Sequence, residues 1–190
     1  MDRDGLEKLT MRRLADALGV LPNTLYTYFP DKSSILDAVL DDLIGAVSQP
    51  HPGVSWRRGL IELMAAYRRV LLTQPGLIPL TVSRPMAGPN ALRVRERGLT
   101  LLRQGVPSDT DAVTAYLALF AYTTGFVTFE SARPAGQRDA TQRVATRVLH
   151  DSLPAREFPA TRALAPHLAK RPGDPEFKRG LECLLDGFAG

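Results

Sequence analysis

The 190-residue chain is predicted to be all-α, an N-terminal helix-turn-helix followed by a larger helical domain. Three observations carry that expectation. Period-2 alternation does not persist and β-branched residues are scattered, so strands find no support. Apolar residues recur instead at spacings of three and four. Between residues 10 and 32 the run Thr-Met-Arg-Arg-Leu-Ala-Asp-Ala-Leu-Gly-Val-Leu-Pro-Asn-Thr-Leu-Tyr-Thr-Tyr-Phe-Pro-Asp-Lys sets two short helices around a tight turn.

The first helix is expected over about Thr10 to Leu18, with Leu14, Ala15 and Leu18 on one face. Gly19 follows, where a sharp exit from a helix calls for a residue tolerating positive φ. Pro22 opens the second helix, Pro22 to Tyr28, because its fixed φ suits a first turn and its missing N–H costs nothing there. Leu25 and Phe29 face inward, and Ala15 is small because two steeply crossing helices leave no room for more. Asn23, Thr24, Tyr26, Thr27 and Tyr28 face outward. Asp31 or Ser33 caps a third helix, where Ile35, Leu36, Val39, Leu40, Leu43 and Val47 repeat at three and four. Gln49-Pro50-His51-Pro52-Gly53 is the clearest breaker. It divides the chain into residues 1–48, with the helix-turn-helix at 10–29, and residues 54–190.

Beyond the breaker, Ser55 is placed to cap a long helix with Trp56, Leu60, Leu63, Met64, Tyr67, Val70 and Leu71 inward, ending before Pro75-Gly76. A short helix near Leu77 to Val82 stops at Arg84-Pro85, and another opens at Pro89-Asn90 and closes by Gly105. Ser108 with Asp111 resembles a capping box and opens the most apolar helix, about Asp109 to Glu130. From Pro134 to Gly173 the composition shifts to Arg, Ala and Pro around one amphipathic stretch, Arg138 to Leu153. The last helix spans about Pro175 to Phe188.

Composition bounds the rest. At 44% hydrophobic and 23% charged residues the chain can bury a core. No apolar run looks long enough to cross a bilayer, and Met1-Asp-Arg-Asp does not read as a signal peptide. With one cysteine there is no internal disulfide, so a reducing, cytoplasmic setting is expected. The formal charge of +4 is not itself a sign of nucleic acid. Residues 1–45 carry more Asp and Glu than Lys and Arg, so the argument rests on where single residues stand. His51, His150 and His167 lack metal-ligand spacing, and neither a phosphate loop nor a nucleophile elbow occurs. No catalytic residue, metal or cofactor is expected. Cys183 reads as a small buried side chain.

The run Leu-Thr-Met-Arg-Arg-Leu-Ala…Leu-Gly-Val…Thr-Leu-Tyr-Thr-Tyr-Phe…Lys…Ile-Leu-Asp-Ala-Val resembles the DNA-binding segment of the tetracycline-repressor (TetR) family, with no gap in its spacing. Ser55-Trp56, Ser83-Arg84-Pro85, Gly125-Phe126 and Phe177…Gly180-Leu181…Leu184-Leu185-Asp186-Gly187 resemble, in order and spacing, the ligand-binding domain of its tetracycline-repressor branch. The resemblance implies a ligand-responsive, homodimeric regulator that is released from a palindromic DNA operator by a small molecule. In the family another helix precedes the segment resembling Asp4 to Thr10. Few residues precede Gly5 here, so most of that helix is expected to be missing.

In a helix-turn-helix the N-terminal turn of the second helix meets base edges in the major groove. Pro22, Asn23 and Thr24 stand there. Asn pairs bidentately with adenine, and Thr or Pro touches a thymine methyl. Met11, Arg12, Tyr26, Tyr28 and Lys32 match family positions on the DNA backbone, where donors to phosphate position the protein without reading sequence. Thr10 and Thr27 complete the expected DNA-binding set. The ligand cavity is assigned Tyr67, Leu71, Gln74, Leu80, Ser83, Met86, Tyr122, Thr123, Phe126 and Phe129, from the helices that enclose the family's pocket. Their apolar, aromatic cast with few hydroxyls fits a flat, mostly hydrophobic ligand. Leu80 stands where the tetracycline-binding members have a histidine that helps hold drug-bound magnesium, so magnesium–tetracycline is not the expected inducer.

Val113, Tyr116, Leu117, Phe120, Thr124 and Val127 stripe the long helix, and Phe177, Leu181, Leu184, Leu185 and Phe188 stripe the last one. Helices apolar nearly all round need more than one neighbour. The resemblance implies that helices near 109–130 and 175–188 pair with their symmetry mates. The competing class is a small-molecule-binding or scaffolding protein with an impaired DNA-binding end.

Overall fold

The computed structural model describes residues 8–132, 137–170 and 172–188. Among them there are helices and turns but no strand. Helix α1, Met11–Leu18, starts where the Thr10 hydroxyl takes the N–H of Arg13 at 3.2 Å. That satisfies one of the donors every helix start leaves unmet. The helix ends at Gly19, in the left-handed region at φ 67°, which no residue with a Cβ enters without strain. Helix α2, Pro22–Tyr28, carries its proline in the first turn. Ala15, wholly buried, sits where the two helices cross.

Helix α3, Lys32–Gly45, opens on a reciprocal cap. The Asp31 carboxylate accepts from Ser34 N at 2.7 Å, and the Ser34 hydroxyl accepts from Asp31 N at 3.4 Å. Of the two expected caps, Asp31 is the one used. Helices α4 (Trp56–Thr73), α5 (Ile78–Ser83), α6 (Pro89–Leu102) and α7 (Asp109–Ser131) follow, with a 3₁₀ turn Pro75–Leu77 before α5. Ser55 stands at the N-cap of α4, but its hydroxyl accepts no capping bond, so only the position agrees with expectation. Ser108 does cap α7, accepting from Asp111 N at 3.1 Å.

Helix α8 spans Gln137–Ser152, α9 Pro159–Ala163, α10 Ala165–Leu168 and α11 Asp174–Phe188. The two short helices α9 and α10 were not expected, since neither is long enough to show a repeat at three and four.

The core gathers α3 to α7 and α11, centred on Leu40, Ile44, Leu63, Tyr67, Leu119 and Phe177, each nearly or fully buried. Helix α7 packs on α4, α5, α6 and α11, while Val113, Leu117 and Phe129 stay more than half exposed, so this chain alone leaves part of its apolar surface uncovered. It is also long and apolar enough to cross a bilayer by length and composition, which corrects the sequence-based reading. No charge interrupts it between Asp111 and Glu130, while its threonines and tyrosines hid the run. About a third of that span is buried in this chain, in contacts with α4, α5, α6 and α11.

Three side chains placed inward by pattern face out. Leu18 is 60% exposed and Val39 43% exposed, because α1 buries only Ala15 and α3 turns Leu36, Leu40 and Ile44 inward instead. Cys183 is exposed. Phe177, Leu181 and Leu185 take the inner face of α11, so residue 183 falls outside it.

Candidate DNA-reading face and ligand cavity

The geometry of α1 and α2 leaves one polar face open. Asn23, Thr24, Tyr26, Thr27 and Tyr28 are all exposed, Tyr28 at 75%, while Leu25 alone of α2 is buried. Pro22, half-buried, begins the helix, so Asn23 and Thr24 stand in its first turn with their side chains in solvent. Thr27 donates its hydroxyl proton to the Asn23 carbonyl at 3.1 Å, fixing its rotamer along the helix. Thr10 and Arg12 are exposed at the start of α1, Met11 is half-buried beside them, and Lys32 lies in the first turn of α3. The sequence-predicted residues of this set therefore share the α1–α3 end of the molecule.

Among the described residues, two groups of polar contacts tie this end to the rest. Arg84, after α5, donates from Nη1 to Asp37 Oδ1 at 2.6 Å and to the Ser33 carbonyl and hydroxyl at 3.0 and 2.9 Å. Asp41 accepts the N–H groups of Asn90 and Ala91 at 3.2 and 2.9 Å. The Asn90 side-chain amide donates to the Asp41 carbonyl at 3.1 Å. A carboxylate of α3 thereby caps α6. Gly88 makes room for it, since a Cβ there would lie 2.3 Å from the Asp41 carboxyl carbon. Between the two contacts Met86 holds φ at 45°, strained for a residue with a side chain.

Behind that segment lies a cavity of about 370 Å³ bounded by Ile44 of α3, by α4, α5, α6 and α7, and by the Arg84–Met86 turn. Tyr67, Val94, Tyr116 and Phe120 form much of its apolar wall, with Tyr67 and Phe120 rings 5.5 Å apart between centroids. Thr81, Arg84 and Arg95 are its polar edges. Val113 and Leu117 line it yet are more than half exposed, so it opens to solvent along α7. Burial pushes the Tyr67 hydroxyl well above the usual phenol value. Burial also raises Tyr116, against the opposing charge of Arg95.

Of the ten residues expected around a ligand, Tyr67 and Met86 line this cavity. Tyr122 and Phe126 pack instead on Phe177, with ring centroids 5.6 and 5.1 Å away. The buried Thr123 bonds back to the Leu119 carbonyl at 2.8 Å. Leu71 and Leu80 are buried. Gln74 and Ser83 are exposed, and Phe129 is 66% exposed. Tyr116 and Phe120, read from sequence as part of a dimer stripe, are cavity wall. Thr81 and Arg95 were not foreseen. Period alone says that a face is apolar, not which neighbour covers it.

The α11 stripe is likewise divided. Phe177, Leu181 and Leu185 are fully buried within this one chain, packed toward α7, while Leu184 and Phe188 remain partly open. Arg68 is buried beside them, with its guanidinium 5.0 Å from the Phe177 ring centre.

Residues 1–39 match the family described as bacterial regulatory proteins, tetR family, and residues 49–190 match the tetracyclin repressor-like C-terminal domain. The match to the first begins at residue 1. The first-helix expectation concerns a segment outside the described residues. An HTH-type transcriptional regulator of Saccharopolyspora erythraea is 38% identical over 198 residues, spanning 100% of this chain and 79% of its own length. The HTH-type transcriptional repressor DrrR1 of Streptomyces coeruleorubidus is 32% identical over 199 residues, covering 98% of this chain and 72% of its own. Among solved structures, the Streptomyces coelicolor TetR family protein ActR in complex with actinorhodin superposes with a TM-score of 0.85 at 30% identity. That superposition covers 98% of this chain and 90% of ActR.

Proposed function

The chain belongs to the tetR family of bacterial regulatory proteins, and on that footing we propose that it represses transcription from a palindromic operator and lets go when a small, mostly apolar molecule enters its cavity. The single observation that carries the DNA half is the first turn of α2, where Asn23 and Thr24 lie in solvent behind the left-handed Gly19. Had Asn23, Thr24 and Tyr28 been sealed inside the monomer, that half would have no surface to act with. Pro22, Asn23 and Thr24 are assigned to base edges. Thr10, Met11, Arg12, Tyr26, Thr27, Tyr28 and Lys32 are assigned to the sugar-phosphate backbone.

The ligand half rests on the cavity and on its neighbours. The likeness to ActR, whose structure holds actinorhodin, supports a small molecule in the corresponding space. The ligand touches Met86 and the cavity side of Arg84, and the contacts Arg84–Asp37 and Asp41–Ala91 carry the change into α3. Only a ligand with different affinity for the two arrangements of α3 can shift them. The Pro50–Pro52 segment then serves as the chain's bend, with residues 1–48 reading DNA and residues 54–190 holding ligand and partner. Two copies pairing through α7 and α11 set two recognition helices about one turn of DNA apart, which is the reason for a palindrome. Family members are transcriptional regulators rather than enzymes. Relatives named as regulators and repressors favour this reading over an impaired scaffold.

Fluorescence anisotropy tests it. A labelled duplex from the sequence upstream of the protein's own gene is titrated against a random duplex of equal length at several salt concentrations. The expected result is tighter binding of the upstream duplex by about a thousandfold or more. Equal affinity for both removes the assignment of α2 as a reader of sequence.

A further inference from the structure

Leu21 stands in the turn between α1 and α2, two residues before Asn23. At 75% exposed it ties with Tyr28 as the most open large apolar side chain among the described residues. A lone exposed leucine is ordinary on a protein surface, so exposure by itself assigns it nothing. What its position gives up says more. Leu21 is the N-cap residue of α2, where Ser, Thr, Asn or Asp would accept an N–H of the first turn, and its side chain makes no such bond. The helices on either side do use that device, through Thr10 and Asp31. The chain thus forgoes a cap and sets an apolar group in water at one and the same residue. Local rules broken together, without a gain inside the fold, mark places shaped by function.

The backbone makes Leu21 a fixed knob. Pro22 confines the residue before it to extended backbone, and Leu21 sits there at φ −72° and ψ 144°. Its carbonyl accepts the Thr24 N–H at 2.9 Å, which ties it to the turn assigned to base edges. Little freedom is left to lose on binding.

Resting on the DNA reading above, we propose that Leu21 reads a thymine through its C5-methyl group, so that each operator half-site carries an A·T pair beside the one assigned to Asn23. The thymine methyl is the apolar feature of the major-groove edge. The contact uses the methyl groups of Leu21 and needs neither a charge nor an amide of the helix.

Selection from a pool of random duplexes, each long enough for two half-sites, supplies the operator without assuming it. The wild type is expected to enrich a palindrome with a fixed thymine in each half-site, and Leu21→Met to enrich the same one. Leu21→Ser and Leu21→Ala should keep the rest of the palindrome and lose that thymine. In the selected duplex, deoxyuridine in place of the thymine removes only the methyl group. Anisotropy should then show wild-type binding weakened about fourfold per half-site, the worth of one buried methyl, with no change for Leu21→Ala. Leu21→Ser should also melt about 2–4 °C higher than the wild type, because its hydroxyl can cap α2. A melting temperature below that of the wild type would make Leu21 a packing residue and overturn the proposal. Retention of the thymine by Leu21→Ser and Leu21→Ala, or equal wild-type affinity for the deoxyuridine duplex, overturns the methyl contact and leaves the DNA reading standing. Enrichment of no sequence by the wild type overturns both.

Discussion

Asp41, on the helix that follows the recognition helix, accepts the backbone N–H of Ala91 at 2.9 Å and so caps a helix of the ligand-binding half. The donors of α6 are met by a residue 50 positions earlier in the chain rather than by a local side chain. A cap made across two helices is both a stabilising bond and a mechanical tie. Asp41→Ala is expected to cost about 1 kcal/mol, or roughly 2–4 °C in melting temperature. Thermal unfolding of the two proteins side by side checks it. An unchanged melting temperature would mean that water replaces the carboxylate at no loss.

Asp37 tests the tie without touching the cavity wall. It holds Arg84 from the α3 side, at 2.6 Å, while Arg84 itself lines the ligand space. Asp37→Ala should leave ligand affinity of the free protein nearly unchanged. It should shrink the ratio of DNA affinities without and with ligand by about fivefold, a modest fraction of typical coupling energies. The readout is an operator-release titration with and without ligand, and an undiminished ratio would route the signal elsewhere.

Base readers and phosphate contacts predict different losses. Asn23→Ala should lose preference at one base pair, worth about 1–3 kcal/mol, with random DNA bound as before. Lys32→Ala should weaken every sequence alike and lower the salt slope by about 1. Anisotropy on operator and random duplexes across a salt series distinguishes the two patterns. The same loss on both duplexes for both variants would erase the division of roles.

Gly19 isolates a purely conformational cost. A Cβ built there meets nothing within 4 Å, so the expense of Gly19→Ala is that of φ 67° alone. About 1 kcal/mol of destabilisation is expected. Chemical denaturation should show a lower midpoint with an unchanged slope, since the surface exposed on unfolding stays the same.

Much of the DNA-reading end was legible because its rules are local. A cap, a left-handed glycine and a first-turn proline each act within a few residues, so Thr10, Gly19 and Pro22 announce their roles in the sequence. The cavity was legible only in part because its rules are not local. Tyr116 and Tyr122 lie on the same helix with similar apolar neighbours, yet one faces the cavity and the other stacks on Phe177. What decides between them is the rotation of α7 against α4 and α11, which depends on residues tens of positions away. Arg95 reads in sequence as one of many arginines, and only its place on the cavity wall sets it apart.

The buried Arg68 gives the last prediction. Its guanidinium meets Glu130 through two bonds at 2.9 and 3.0 Å and Asp174 at 3.0 Å, with the Phe126 and Phe177 rings against it. Helices α4, α7 and α11 are thereby joined at one cation. Removing a partner strands charge in a buried site, so Glu130→Gln should cost about 3 kcal/mol, at the low end for such pairs because Asp174 remains. Replacing both members, Arg68→Met with Glu130→Leu, should recover most of that loss, as apolar pairs of similar volume often do. Acid sharpens the test. Lys178, then Arg68, holds the Asp174 carboxyl below its ordinary value of 3.8. Because the folded value is the lower one, the unfolded chain binds the extra proton first. The contribution of Asp174 is therefore present above about pH 4 and fades as pH falls through the folded value. Its carboxylate is more than half exposed, so the effect is small. Stability measured between pH 3 and 6 should fall less steeply in Asp174→Asn than in the wild type, and parallel curves would show that α11 is held without this pair.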